Sequence, residues 1–523
     1  MKIKAFIFFA VISISPCFAQ TDHAQITKIL NQFIVGTQYN YPDSIATAFH
    51  PGTRMFLYNG TDSAYFMTSE EYAALYGRRA PGTLNNRPSK IIGIEIVRDV
   101  AYAKLEIDIP SFGNRYHDLL LLKKILGQWK IVGKATSAGP IPKAPEEFTP
   151  NPAKEVVLTG LNKPWSMAFI SENDVLIAEK DGSLLRVNLE TKERKAISGL
   201  PKDVARAVEI DTAKFEKGIF PNSLHGKTLS ANAGWFQVLL DPDFDQNNYV
   251  YISYAAENKA RASTTKVIRG KLIGNELKEV ETLFVAEPYV HGLYHYGGGM
   301  IFGKDGKLYI TIGERNFFEY MNPEIPVAQD VKDKRGKVIR INPDGSIPKD
   351  NPDFGPSSIK GLFAIGIRAS QGLTIHPETG DIWFSEHGTN QGDELNILKP
   401  SANYGWPNVT TGSYRTDYQP KTIPGATFTD PVYSWDHTVA PTGLTFYSGA
   451  EFPLWKGNLI VPGLSKGSLW RMVVDGDKII SAEELFINSR VRIRKAIVSP
   501  GGQLYLLSDE EDGKLIRVLN SKR

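Results

Sequence analysis

The chain has 523 residues, with 60 Lys and Arg against 57 Asp and Glu and a formal charge of +3. That near balance gives no reason to expect a nucleic acid or an anionic membrane surface as partner. The length exceeds one ordinary domain, so two or more are expected.

The first twenty residues read as an export signal. Lys2 and Lys4 precede the apolar run Ala5 to Ile14, and Cys17-Phe18-Ala19 closes it with a small-residue cleavage site. Residues 1–19 are therefore expected to be removed, leaving Gln20 as the first mature residue. Pro16, directly before Cys17, disfavours lipidation of that cysteine. Cleavage removes the only cysteine and lowers the formal charge to +1. A mature chain without thiols has neither disulfides nor a thiol nucleophile, which suits a periplasmic or secreted protein. No later apolar run approaches the ~20 residues that span a bilayer.

Residues 20–138 carry mixed signals. Ile26, Ile29, Leu30, Phe33 and Ile34 fall at helical spacing and make one apolar face. Thr68 with Glu71 opens a second helix as a capping box, and Gly77 is placed to close it. Strands are expected at Ile91 to Val97, Ala101 to Ile109, Tyr116 to Leu126 and Trp129 to Val132. Helices followed by a strand meander make an α+β pattern. In element order this block resembles the cone-shaped fold of the nuclear transport factor 2 superfamily, above all its SnoaL-like and lumazine-binding members. His50, Tyr58 and His117 are placed to line such a cone, but no chemistry is assigned to them. Residues 139–152, GPIPKAPEEFTPNP, are proline-rich without an apolar period and read as a semi-rigid linker.

From 153 to 523 one pattern recurs: an apolar strand, a polar turn with Gly, then a strand carrying Arg between apolar residues. Leu185-Arg186-Val187, Ile339-Arg340-Ile341, Trp470-Arg471-Met472 and Ile516-Arg517-Val518 are the clearest copies, the last two arginines lying 46 positions apart. That period is the length of one four-stranded propeller blade. About 370 residues allow six or seven blades, so the fold class expected is an all-β propeller behind a small α+β domain.

Propeller turns on one face converge on the central channel, and four windows there have the polar content for chemistry. Val290 to Phe302 places His295 before three glycines, where bare backbone lets a flat molecule approach. Gly366 to Gly372 presents Arg368. The third window, Asp381 to Pro407, holds a strand, the turn Glu386-His387-Gly388 and the acidic pair Asp393-Glu394. Its carboxylates and turn carbonyls are hard oxygen donors that suit calcium better than zinc, although the same turn also reads as solvated. In the fourth, Arg490, Arg492 and Arg494 share one strand face by its period of two. Three such charges call for an anion among them, a polycarboxylate or a phosphate, unless they form a solvated edge.

Together these windows resemble the soluble quinoprotein sugar dehydrogenases, the glucose/sorbosone dehydrogenase family that binds pyrroloquinoline quinone (PQQ) on a six-bladed propeller. The likeness covers about Glu155 to Val518. It rests on Pro242-Asp243-Phe244, His295 with Gly297 and Gly298, Gly313-Glu314, Ala328-Gln329-Asp330, Gly336-Lys337, Asp350-Asn351-Pro352 and the windows above. The resemblance implies that His295 is the general base for a sugar hydroxyl, an imidazole suiting that task by its near-neutral pKa. It implies that Glu314 positions the base and that Arg368, Arg492 and Arg494 hold PQQ. By the same resemblance the carbonyls of Gly388 and Thr389 bind a catalytic calcium, and Glu394 and Tyr404 bind a second, structural one. The implied partners are a small sugar and an external electron acceptor; nothing in the chain fixes an oligomeric state.

The chain also departs from the family pattern. Asn232 stands where a glutamine is usual, Gly299 replaces an arginine, Ala369 an asparagine and Lys495 an aspartate. Ser465 replaces a lysine, with Lys466 adjacent as the candidate cofactor contact. These losses keep two alternatives open: a redox-inactive propeller that binds carbohydrate or protein, and a calcium-dependent lactonase-like hydrolase in which Glu314, Glu386 and Asp393 converge on one ion.

Overall fold

The computed structural model describes residues 17–58, 65–140, 151–206, 209–214, 225–230, 232–292, 294–315, 326–414, 425–465, 467–487, 489 and 491–521. Most of the expected export signal, and residues 141–150 of the expected linker, lie outside these. The chain divides into two compact units, Met1–Glu147 and Phe148–Arg523. Among the described residues no helix is long and apolar enough to cross a membrane.

The first unit wraps a six-stranded sheet over its helices. Helix Cys17–Tyr39 buries Ile26, Leu30 and Phe33, with Ile29 and Ile34 packed at the edge of the same cluster. Thr68 caps helix Ser69–Leu75: its hydroxyl accepts the Glu71 N–H at 3.2 Å while the Glu71 carboxylate accepts the Thr68 N–H at 2.9 Å. Gly77 does not close that helix. The Tyr76 ring packs on Tyr72 at 5.4 Å and prolongs the chain into a 3-10 turn, Tyr76–Arg78, that contains the glycine.

The strands run, in sheet order, Tyr65–Thr68, Arg54–Leu57, Gln128–Pro140, Asn114–Ile125, Val100–Ile109 and Ser89–Val97. Gln128–Pro140 is far longer than the expected Trp129 to Val132. A two-residue turn, Leu126-Gly127, with φ of 49° and 81°, lets it pair with Asn114–Ile125 along its whole length. Alternation then sends Asp118, Leu120 and Leu122 into the core and His117 to the other face, where its Nε2 lies 3.4 Å from Glu106. His50 and Tyr58 are exposed, so none of the three residues expected to line a cone enters the core. The inward polar group is Asp118, which accepts from Lys134 Nζ at 2.7 Å and Thr136 Oγ1 at 2.6 Å.

In the second unit the described strands include six sheets of four antiparallel strands each. Their first strands are Pro164–Phe169, Trp235–Leu240, Gly297–Phe302, Ser370–Ile375, Thr445–Phe446 and Ile493–Val498. Each of these packs on the next, and the last packs on the first. The sixth sheet takes its outermost strand, Pro152–Leu161, from the beginning of the unit, paired antiparallel with Gly513–Asn520. This is a β-propeller architecture. All four arginines of the sequence repeat sit in the third strand of their sheets. Arg269 is a fifth copy, hidden because Gly270 follows it where an apolar residue was sought. Each of the five meets a carboxylate: Asp174 for Arg186, Glu281 for Arg269, Asp305 and Asp350 for Arg340, Glu483 for Arg471, Glu451 for Arg517.

Removing one partner of a buried ion pair strands the other charge. Asp118→Ala is expected to cost about 3–5 kcal/mol in urea unfolding of the first unit, and Asp118→Ala with Lys134→Met to recover most of it.

Candidate active site

The residues singled out from the sequence fall on one rim of the second unit. His295, Arg368, Arg492 and Asn232 directly precede first strands, while Glu314 and the turn after Glu386 directly follow second strands. In an antiparallel sheet the start of the first strand and the end of the second lie side by side, so this rim collects all of them. Lys466 and Arg490 lie outside the described residues.

His295 stands in the left-handed backbone region, φ 54°, and its Nδ1 is 2.5 Å from Glu314 Oε1, with the imidazole 15 % exposed and the carboxylate buried. A carboxylate only accepts, so Nδ1 carries the proton and Nε2 is left as the basic nitrogen. The Glu314 N–H donates to the Arg368 carbonyl at 2.9 Å. The Arg368 N–H in turn donates to the Glu386 carboxylate, and its guanidinium donates to the His387 carbonyl at 3.3 Å while lying 5.1 Å over the Trp406 ring.

The acidic turn resolves into carboxylates with different duties. Asp393 accepts three backbone N–H groups, from Gly388 at 2.8 Å and from Val439 and Ala440 at 2.7 Å each. It shapes the turn. Glu386 and Glu394 instead line a cleft together with Arg368, Gly388, Tyr404 and Trp406. Burial first, and then the charge of Glu394, push Glu386 up to about 8; burial likewise raises Glu394. Buried carboxyls whose ionisation is hindered, Glu386 by Glu394 and Glu394 by Asp393 after burial, are suited to a cation. Thr389 is buried, its hydroxyl donating to the Ser413 carbonyl. The Tyr404 hydroxyl donates to the Ile397 carbonyl at 2.7 Å and accepts the Lys399 N–H at 3.0 Å, which leaves the main-chain carbonyl as its group for a cation. Among the described residues no three imidazole, thiol or carboxyl side chains gather to hold a metal. The convergence of Glu314, Glu386 and Asp393 that a hydrolase requires is absent, because Glu314 serves His295 and Asp393 serves the turn. The oxygens that this turn presents are backbone carbonyls and the Glu386 and Glu394 carboxyls.

The arginine pair contains its own anion. Arg492 and Arg494 both donate to Asp509 Oδ2, at 3.1 and 2.7 Å, and Lys180 donates to Oδ1 at 2.7 Å. Asp509, in the turn after strand Leu504–Ser508, was not among the sequence candidates, and neither was Lys180. Arg494 also donates to Gln371 Oε1, three residues beyond Arg368. Three cations around one carboxylate leave a surplus of positive charge. Burial, and then Arg494, lower Lys180 to about 7, while the two flanking cations hold Asp509 far below the carboxylate range against its burial. The Arg492 side chain is 50 % exposed and that of Arg494 only 2 %, so Arg492 is the one open to a ligand.

The glycines after His295 have a different purpose from the one expected. A Cβ would lie 2.6 Å from the Gly313 nitrogen at Gly297, 2.5 Å from Phe236 at Gly298 and 2.5 Å from Leu373 at Gly299. Neighbouring strands, not a flat ligand, demand them. Asn232 is half-buried, two residues before Gly234, whose Cβ position lies 2.1 Å from the Lys180 carbonyl. Lys495 is buried, its Nζ 3.2 Å from Gln237 Oε1.

The sequence profile described as Glucose / Sorbosone dehydrogenase matches residues 161–517. The chain belongs to that family. Within it, the aldose sugar dehydrogenase YliI of Escherichia coli is 30 % identical over 371 residues, 70 % of this chain and 92 % of that one. Quinoprotein glucose dehydrogenase B of Acinetobacter calcoaceticus is 28 % identical over 467 residues, 73 % of this chain and 92 % of that one. The crystal structure of the soluble aldose sugar dehydrogenase from Escherichia coli, in its apo form, superposes with a TM-score of 0.62 at 28 % identity, covering 71 % of this chain and all of that one. Residues 21–136 match the profile named "Putative lumazine-binding".

Burial lowers Lys495 from 10.5 to about 8. The unfolded chain keeps this proton to higher pH, so between about pH 8 and 10.5 the unfolded state binds more protons and stability rises with pH; below pH 8 both states are charged and the full cost stands. Lys495→Met is expected to flatten that rise relative to the parent protein and to be more stable near neutrality, as read by urea unfolding at several pH values.

Proposed function

We propose that this protein is a periplasmic or secreted quinoprotein dehydrogenase that oxidises an aldose or related sugar with PQQ and calcium. Its catalytic domain is a six-bladed propeller over residues 153–523. A cone domain at 20–138 precedes it and segment 1–19 is the cleaved export signal; the linker expected at 139–152 yields its ends, Gly139-Pro140 and Pro152, to strands Gln128–Pro140 and Pro152–Leu161. The observation that carries this reading is the continuity of the site: the His295–Glu314 pair is one backbone hydrogen bond from Arg368, and Gln371 on the adjoining strand holds Arg494. The names of the two curated relatives, an aldose sugar dehydrogenase and a quinoprotein glucose dehydrogenase, support the same substrate and cofactor class.

When bound beside calcium, PQQ supplies an electrophilic quinone that accepts hydride from the sugar carbon. His295 Nε2 takes the hydroxyl proton as that hydride leaves, and Glu314 steadies the imidazolium through Nδ1. Arg492 offers its exposed guanidinium to the cofactor's carboxylates, Arg494 and Lys180 add positive charge behind it, and Arg368 brings charge on the cleft side, against Glu386. Asn232 and Lys466 complete the cofactor contacts. The carbonyls of Gly388 and Thr389 would hold the catalytic calcium, and Glu394 with the Tyr404 carbonyl would hold the second. An external acceptor then takes the electrons.

Reconstitution tests this. Purified protein given PQQ and calcium is expected to perturb the quinone absorption spectrum and to reduce a redox dye with aldoses. His295→Gln is expected to keep the spectral titration and to lose about 10²- to 10⁴-fold in kcat. An unperturbed quinone spectrum overturns the proposal; a bound quinone that no sugar reduces assigns the chain to the redox-inactive alternative.

A further inference from the structure

Arg315 is buried, 1 % exposed, and its guanidinium carbon lies over the Tyr296 ring, 3.3 Å from the centroid. Nη1 donates to the Tyr294 carbonyl at 2.5 Å. Nη2 donates to the Gly292 carbonyl at 2.6 Å, to Ser263 Oγ at 3.0 Å and to the Ser263 carbonyl at 3.3 Å. Its main-chain N–H donates to the His295 carbonyl at 3.2 Å. Thus two consecutive residues grip the histidine from both sides, Glu314 by the ring and Arg315 by the backbone on which the ring is mounted.

That backbone needs holding. His295 and Arg315 both occupy the left-handed region, at φ 54° and 62°, which costs a non-glycine residue about 1–2 kcal/mol. Strain of this kind persists only where the surroundings over-determine it. The approach is close enough that a Cβ at Gly292 would lie 2.3 Å from the Arg315 carbonyl. A guanidinium is suited to this: its rigid planar fork reaches several carbonyls and stacks on an aromatic ring at once, whereas an ammonium is a point charge on a flexible stem.

We propose that Arg315 is the positioning residue of His295, holding Gly292 and Tyr294 to Tyr296 so that imidazole Nε2 faces the sugar hydroxyl. This rests on reading His295 as the general base. Displacing a catalytic group by about 1 Å costs on the order of 10²-fold.

The test compares the parent protein with Arg315→Lys and Arg315→Met. Both variants are expected to bind PQQ and calcium as the parent does and to keep its KM for the sugar, while kcat falls about 10²-fold. A second measurement uses protein without PQQ: histidine-labelled ¹⁵N spectra are expected to show His295 in one tautomer, Nδ1-protonated, in the parent and as an average of two in Arg315→Lys. Parent-like kcat and parent-like tautomer in Arg315→Lys overturn the proposal. So does a loss of kcat matched by equal losses of PQQ binding and folded fraction, since that marks a merely structural side chain. If the parent takes up no PQQ, the dehydrogenase reading falls by itself, and the tautomer comparison still decides whether Arg315 holds the histidine.

Discussion

The site depends on the antiparallel pairing of the first two strands in each sheet. Because the second strand runs back along the first, the residue that enters one and the residue that leaves the other meet on the same rim. Six sheets repeat that juncture, and five of the six contribute: Glu179-Lys180 from the first sheet, Asn232 from the second, His295 and Glu314 from the third, Arg368 and Glu386 from the fourth, Arg492 and Asp509 from the sixth. Residues nearly 330 positions apart thereby share a hydrogen bond, as Lys180 and Asp509 do. No loop has to reach across the molecule. The registers that fix these strands, Gly297 opposite Ile312 and Ser370 opposite Glu386, also fix how far His295 stands from Arg368 and Glu386.

Burying so many charges on a rim is costly unless each finds a partner. The structure handles this with few anions. Asp509 serves three cations, and Asp393 serves three N–H groups and no side-chain cation. Removing Asp509 would have opposed effects, more net positive charge for an anionic ligand but less order in the guanidinium groups. Arg492 and Arg494 therefore differ in kind despite their even spacing. Arg492 meets solvent, while Arg494 lies beneath, between Asp509 and Gln371, and acts through the electrostatic potential it sets.

Much of this was legible in the sequence. The capping box at Thr68 and Glu71 and the apolar face of the first helix are local, and local rules found them. The Arg-bearing strands were found because their carboxylate partners make Arg a repeated requirement; Arg269 escaped only because glycine follows it. The propeller motifs located the rim residues, but not what each one bonds to. Asp509 sits in Ser508-Asp509-Glu510-Glu511-Asp512, an acidic run that reads as a solvated turn, and only the three-dimensional neighbourhood separates Asp509 from Glu511. His117 was misassigned because one residue of register decides which face a strand side chain takes. Arg315 was passed over because an arginine after a functional glutamate carries no periodic signal.

The departures from the family pattern are linked by packing. At Gly299, where the family resemblance implies an arginine, a Cβ would fall 2.5 Å from Leu373 and 2.9 Å from the Gln371 carbonyl, so the strand at 370–375 lies against bare backbone. Thr311 ties the two strands further, its hydroxyl accepting the Gly299 N–H at 3.1 Å and donating to the Ser370 carbonyl at 3.0 Å. This approach sets the place of Gln371, whose Oε1 receives Arg494. Across the centre, Lys495 stands where an aspartate is usual and reaches Gln237 of the second sheet. Relative to that pattern, glycine at 299 removes one positive charge and lysine for aspartate at 495 adds two, so together they leave the core more positive by one. The positive charge around Arg492 comes from Arg494 and Lys180, gathered on Asp509, and none of those contacts uses position 299 or 495.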